Sequence, residues 1–535
     1  MTPMYNLLDE PWLPVRLADG SVQSLGLLEV FRRCGEITAL AETAPPSLIA
    51  EYRLLLAITH RALVHGLGSW KDNERLQWYQ SGLPADVICN YLNHWRERFW
   101  LFHPEHPFMQ VAALAAADET RDKRKPWTQI ALSGASGNTP VVFDHAVDDA
   151  PAAISWQSAL GHLLGLLQFI PGGLVKVLRA SDKAGALVNT AAVLPVGATL
   201  SQTLVLALHR PPLPSRSAPD LPAWERPPLA IGQLSGEPVL ATGPNDRYTR
   251  QSRAVLLEPS DGSGAVQWLR FAAGLALGED EHQPDPMACF REGSNGLVRV
   301  TFTEGRAVWR DLPALVPSPQ GGDKVAFRAA LVVESAAALH ALTPSRQRGH
   351  QRLLVAGVAS DHAKLLRWRV EQFRLPEALL VEPDRAMELR VHIALADEVH
   401  RQLRQLAIGL VAGTLPDPDS KDTRNRARDM VGNGPLASTF FAGAERQLWA
   451  LMACIAEDKA EAADVLWHGA LRDAANLAWQ RQLGILGHSV RALRSEAQCR
   501  GRLYRLLRQQ LPAAFPADTV AVATARAKET ITQGE

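Results

Sequence analysis

His103, Glu105 and His106 put three metal-capable side chains within four residues, in the string HPEH. Zinc and manganese accept such ligands, and the chemistry they would support is metal-dependent hydrolysis. Pro104 and Pro107 exclude the helical i, i+4 placement of a metalloprotease motif, because proline removes a donor and clashes with the preceding turn. No ligand beyond this string is indicated. The three side chains are therefore expected to satisfy one another and nearby backbone groups beneath Phe99, Trp100, Phe102 and Phe108. Asp417-Pro-Asp419-Ser-Lys-Asp422 opens like a calcium loop but lacks its central glycine and closing glutamate. A Gly-x-Ser-x-Gly elbow and a Walker loop are both missing from the sequence. The sequence gives catalysis no support, and no cofactor or metal is expected.

Other residues are suited to binding. Arg121-Asp-Lys123-Arg124-Lys125 leads through Trp127 into SGASGNTPVVFDH, Ser133 to His145. A Gly- and Ser-rich loop presenting Phe143 after a basic run can touch nucleic acid, since bases stack on aromatic faces and phosphates attract cations. Gly172-Gly173 precede Lys176, Arg179 and Lys183; glycines let a backbone approach closely, and the cations could neutralise phosphates. The last helical stretch carries Arg491, Arg494, Arg500, Arg502, Arg505 and Arg508 against one acid, Glu496. Each pattern also has a plainer reading as a solvated surface.

The elements that must position these residues fall into two textures. Trp12 to Leu17, Asp19-Gly20 and Val22 read as a hairpin. Pro46 to Leu67 reads as a buried helix, with Leu48, Ile49, Tyr52, Leu55, Leu56, Thr59 and Leu63 at helical spacing. Proline-dense Pro211 to Pro228 is an irregular connection. Gly296 to Val308 is expected to pair about Glu304-Gly305. Beyond about Pro383, Leu389, Ile393, Ala396, Val399, Leu403, Leu406 and Leu410 step by three and four. Further helices are expected at about Pro435–Ala456, Glu461–Leu486 and Ser489–Leu511, with Pro416 to Gly434 a mobile polar loop. The predicted fold class is an α+β N-terminal domain, residues 1–383, followed by an all-α four-helix bundle, 384–512, and a flexible tail, 513–535.

Composition narrows the classes. The chain has 535 residues, 47% hydrophobic and 21% charged, which fits a multidomain globular protein. Its 56 basic and 56 acidic residues cancel, so any contact with nucleic acid must be local. Five scattered cysteines contain no Cys-x-x-Cys pair, which argues against a zinc ribbon and fits a reducing cytoplasm. Met1 to Glu10 has no secretory pattern, and Ala159 to Ile170 falls short of a membrane helix, so no membrane partner is expected.

The chain resembles the CasA family, the large subunits of the type I-E CRISPR surveillance complex Cascade. The resemblance rests on YNLLDEPWLPV from Tyr5, on HPEHPFMQ from His103, and on the Ser-Gly-Asn then Phe-Asp-His pattern from Ser136 to His145. Weaker agreement runs through QSRAVLL from Gln251, Asp285-Pro286-Met287 and VAGVA from Val355. It implies a non-catalytic subunit that contacts the 5′ handle of the crRNA, recognises the protospacer-adjacent motif (PAM) in target duplex DNA and promotes strand separation and R-loop formation. It also implies partners: the backbone, handle-cap and small subunits of Cascade, and a recruited helicase-nuclease. On this resemblance Asn138, Val142, Phe143, Asp144 and His145 belong to the loop that reaches the crRNA and the adjoining subunit, with Phe143 its apolar anchor. Gly172, Gly173, Lys176 and Arg179 lie near the glycine loop that approaches the PAM duplex, and Arg270 is taken as the basic contact. Asp361, His362 and Ala363 occupy the wedge that parts the strands, with histidine where relatives carry glutamine. The alternatives are a hydrolase using His103, Glu105 and His106, and a scaffold that binds only protein partners.

Overall fold

Turn chemistry sets the first sheet. The computed structural model describes residues 3–134, 148–173, 175–210, 219–260, 264–278, 283–294, 296–318, 326–344, 347–361 and 364–515. Strand β1 is Met4–Asn6, β2 Leu13–Leu17, β3 Val22–Leu25 and β4 Ile37–Leu40, with β2 between β3 and β4. Gly20 takes φ +86° and Asp19 Oδ1 accepts from Ser21 N at 2.9 Å, so the predicted Asp-Gly turn joins β2 to β3.

Helix α1, Pro45–Leu67, starts with prolines in its first turn and is buried on nearly every face. Such a helix must also satisfy its buried charges. Arg53, fully buried, donates both terminal nitrogens to Asp285 at 2.9 Å. Burial works against the Asp285 carboxylate, but the Arg53 guanidinium outweighs it and lowers its pKa. This pair ties α1 to the Asp285-Pro286-Met287 motif.

The HPEHPFMQ string forms framework. β5, Trp100–Phe102, pairs with β1, and Phe99 stacks on Phe108 with centroids 5.1 Å apart. Gln110 donates to Leu101 O at 2.6 Å and accepts from Leu257 N at 2.8 Å, joining the string to β9 below. Next come β6, Lys125–Pro126, β7, Ile154–Ser155, and α2, Trp156–Phe169, which Ser155 caps. β8 is Ala192–Val196, β9 Arg253–Pro259 and β10 Ala265–Ala273; β10 pairs antiparallel with β9 along one edge and with β6 and β7 along the other.

Strands β11, Phe290–Gly293, and β12, Gly296–Arg299, form a hairpin with Gly293 opposite Gly296, and β13, Phe327–Arg328, extends it. The hairpin expected at Glu304-Gly305 does not form. Gly305, at φ +72°, instead turns the chain toward the 3-10 segment Val308–Asp311. β14, His350–Asp361, lies between β8 and β15, Lys364–Pro376.

The chain divides into two compact units, one of residues 1–304 and 314–375, the other of 305–313 and 376–535. The second is helical: α3 Pro383–Ala412, α4 Lys421–Gly432, α5 Leu436–Ala456, α6 Ala460–Leu486 and α7 Val490–Gln510. The fold is thus a mixture of strands and helices with a helical C-terminal region. Trp309, from the inserted segment, meets Phe441 and Trp467 edge-on. Helix α4 corrects the mobile loop expected over 416–434: Ser420 caps Thr423 N, and Ala427 and Val431 bury one narrow stripe. Arg472 donates to Ala514 O at 2.8 Å, and Phe515 meets Tyr504, so the chain stays packed to Phe515. No helix among the described residues is long and apolar enough to cross a membrane.

Candidate nucleic-acid interface

The glycine pair follows α2 because Pro171 ends the helix. Gly173 adopts φ +81°, a region that costs any residue with a Cβ, and its N–H donates to Asp182 O at 2.9 Å. Gly172 is needed for a different reason: a Cβ there would sit 3.1 Å from Asp182 O and 3.3 Å from Ala184 N. The turn is therefore pressed against residues 182–184. A fully buried arginine fixes that contact. Arg253 lies 3.0 Å from the Asp182 carboxylate and donates to Pro171 O and Lys183 O, each at 2.7 Å. Burial depresses the Arg253 pKa to about 10 and raises that of Asp182, and the opposite charge of each partner works against that pull.

The cations after the turn have different fates. Lys176 is exposed. Arg179 donates to the carbonyls of Leu234 and Gly236, so it braces that segment rather than standing free. Arg270 is also engaged. It projects from β10, pairs with Glu258 on β9 and donates to Arg121 O at 3.1 Å. Arg124 approaches the same Glu258 at 2.7 Å. The sheet thus gathers Arg270 and Arg124 about one carboxylate, and β6 carries Lys125 opposite Leu269. Any contact by Arg270 with a phosphate or base has to compete with Glu258. Trp127 stacks on His162 at 5.7 Å and donates to Ala152 O at 2.7 Å, which occupies the ring that the basic run leads into.

One side chain links separate segments that the sequence singles out for binding. Trp368, on β15, donates to Leu132 O at 3.3 Å, immediately before the segment Ser133–His145. Its ring meets Phe169 edge-on at 5.5 Å, and Phe169 ends α2 just ahead of the glycine turn. Four residues along the same strand, roughly 13 Å at strand rise, β15 begins at Lys364, next to the wedge positions. Asp361 closes β14. His362 and Ala363 lie outside the described residues, as do Asn138, Val142, Phe143, Asp144 and His145.

The HPEH side chains do not make a metal centre. His103 Nδ1 accepts from Glu105 N at 3.1 Å and His106 N at 2.9 Å, so it closes a turn. His106 Nδ1 faces the Arg98 guanidinium at 3.2 Å; burial and that cation depress its pKa. A fixed positive charge at a ring nitrogen opposes a metal ion there. Among the described residues no group of three metal-capable side chains converges.

Sequence reasoning did not single out Arg253, Asp182, Glu258 or Trp368. Arg253 stands in the QSRAVLL string, and Trp368 in the alternating stretch LLRWRVEQF, which reads only as a strand.

The CRISPR-associated protein Cse1 family model matches residues 6–478. A CasA/Cse1 protein of Thermus thermophilus is 34% identical over 514 residues, covering 94% of this chain and 97% of that protein. The solved structure of Thermus thermophilus CasA (Cse1) superposes with a TM-score of 0.79 at 31% identity, covering 95% of this chain and all of that one. Thermobifida fusca Cse1 shares the fold, with a TM-score of 0.76 at 22% identity over 96% and 99% of the two chains. A chain of a CRISPR RNA-guided surveillance complex does so with a TM-score of 0.71 at 23% identity over 94% and 100%. With the match spanning most of its length, the chain belongs to the CRISPR-associated Cse1 (CasA) family.

Proposed function

We propose that the chain is the large, non-catalytic subunit of a type I-E CRISPR surveillance complex, acting in the cytoplasm. In this reading residues 1–383 recognise crRNA and target DNA, 384–512 form a four-helix bundle carrying α4 as an addition, and the end of the chain is a tail. The loop of Asn138, Val142, Phe143, Asp144 and His145 reaches the crRNA 5′ handle and the adjoining subunit. Gly172 and Gly173 approach the PAM duplex, with Lys176 an exposed cation beside them, while Asp361, His362 and Ala363 part the strands. An imidazole at 362 can stack on an exposed base and offer one donor and one acceptor. Base pairing to the crRNA then supplies sequence specificity, and a helicase-nuclease is recruited to the opened target.

The observation that carries this reading is Trp368, which touches the stem of the loop and the end of α2 from the wedge-bearing hairpin. A subunit that must sense guide, motif and open strand together needs such a common support. The test is paired. Phe143→Ala should weaken joining of the subunit to a crRNA-loaded complex, an aromatic anchor being worth ~1 to 3 kcal/mol. His362→Ala should leave joining intact and slow strand opening on duplex targets more than on bubbled ones. Equal slowing on both substrates would sink the wedge assignment.

A further inference from the structure

Helix α7 leaves an apolar stripe uncovered among the described residues. Val490, Leu493, Ala497, Gly501 and Tyr504 recur at steps of three and four, so they share one side of the helix. All five are exposed, Val490 by 74%, Leu493 by 52% and Tyr504 by 53%. A Cβ at Gly501 would meet nothing within 4 Å, so the space beside the stripe is open. The side of α7 that packs into the helical unit is a different one, made of Ala492, Ser495, Cys499, Leu503, Leu506 and Leu507. A continuous row of exposed apolar side chains marks a surface that another segment covers.

The described end of the chain runs toward that row. Only residues 487–489 join α6 to α7, so the two helices are antiparallel. After α7 the chain turns back. Leu511 N donates to Leu507 O at 2.9 Å, and Ala513 N donates to His468 Nδ1 at 3.2 Å. Arg472 donates to Ala514 O at 2.8 Å, and the Phe515 ring meets Tyr504 with centroids 5.9 Å apart. From Leu511 to Phe515 the chain therefore passes from Leu507 to Tyr504 on α7, and from His468 to Arg472 on α6. Both progressions lead along the stripe toward the start of α7. Phe515 lies at φ −127° and ψ 77°, and the proline at 516 disfavours a return to helix at that point.

The register follows from two rises. Tyr504 to Val490 is roughly 21 Å along the helix at 1.5 Å per residue. An extended chain covers that distance in about six residues at ~3.3 Å each. Val520 then falls level with Leu493, and Val522 level with Val490. In an extended chain these two valines share a face with Asp518, which falls between the levels of Arg500 and Arg494. Apolar side chains thus meet apolar ones, and the single acid of residues 516–522 meets cations. We infer that residues 516–522 lie back along α7 as a strap that covers Val490, Leu493 and Ala497. This contact is intramolecular and stands apart from the function proposed above.

The test uses the full chain carrying Leu493→Cys/Val520→Cys. Arg491→Cys/Val520→Cys is the control, since Arg491 is exposed at nearly the same height on the opposite side of α7. Each is oxidised in dilute solution with glutathione disulfide, and peptide mass spectrometry separates the new bridge from the five native cysteines. The Leu493 pair should close at least about ten-fold faster, because docking raises the local thiol concentration. A second readout needs no added cysteine. Elastase, which cuts after small apolar residues, should cleave residues 520–525 about ten-fold faster in Val490→Asp/Leu493→Asp than in the wild type, since cleavage tracks the undocked population. Both substituted positions are exposed, and circular dichroism melting confirms that the variants fold. Equal closure of the two cysteine pairs, or equal cleavage with and without the aspartates, would overturn the strap. Bridges formed mainly between chains would also overturn it, by giving the stripe to a second copy.

Discussion

Arg253→Met removes a buried side chain that clamps the glycine turn from inside. The guanidinium is fully buried and serves Asp182, Pro171 O, Lys183 O and Ser252 O, the three carbonyls each at 2.7 Å. Methionine fills comparable space but satisfies none of them. Breaking a buried ion pair by removing one partner costs ~3 to 5 kcal/mol, because the remaining charge is stranded. Here that charge is the Asp182 carboxylate, which also accepts from Lys183 N at 2.9 Å. The loss should be concentrated over residues 168–187, where Gly173 N, Gly185 N and Leu187 N donate to Asp182, Ile170 and Gln168. Hydrogen exchange read by mass spectrometry is the assay: a loss of 3 kcal/mol in opening free energy makes these amides exchange roughly 150-fold faster. Adding Asp182→Asn should recover part of the protection. Burial already raises the Asp182 pKa, so protonating it at low pH should also shrink the difference between variant and wild type. Unchanged exchange across 168–187 in Arg253→Met would refute the clamp.

Trp368→Ala should cost ~1 to 3 kcal/mol through the lost ring contact and hydrogen bond; fluorescence-detected strand opening by the assembled complex should slow while co-elution with the complex persists. Gly172→Ala should disturb the turn more than Gly173→Ala, since the first forces a Cβ against backbone at 3.1 Å and the second meets only the positive φ, ~1 to 2 kcal/mol; thermal melting ranks them. Burial holds His209 at about 3 and His400 at about 4, below the ordinary 6.5, with the nearby Arg75 and Arg310 adding to it. A depressed histidine binds fewer protons folded than unfolded, so its stability is present above about pH 6.5 and is lost as pH falls toward its folded value. By pH 5 each should remove ~2 kcal/mol, and denaturant titration at pH 7.5 and pH 5 should show it, with His209→Phe reducing the difference.

Local chemistry made part of this fold legible. The Asp19-Gly20 turn and the all-round apolar helix α1 follow from neighbours in sequence, and so do the long helices of the C-terminal unit. Helix α4 was hidden because only Ala427 and Val431 are buried on it, leaving a polar stretch whose one signal is the Ser420 cap. Glu304-Gly305 misled because a positive-φ glycine serves a strand reversal or a helix entry equally well. At the site the glycines were conspicuous, but their support was not. Arg253 reaches Pro171 across 82 positions and Trp368 reaches Leu132 across 236, pairings that no periodicity reports. The capture of Arg270 by Glu258 becomes visible only once β9 and β10 are in register, with Glu258 opposite Trp268 and Leu256 opposite Arg270.

The central claim, that this chain is the DNA-reading subunit of its complex, is tested most directly by target binding of the crRNA-loaded complex assembled with and without it. Gel-shift titration against duplexes that differ only in the motif should show that omitting the chain lowers affinity and abolishes the preference between motifs. Equal affinity and an unchanged preference without the chain would contradict the account.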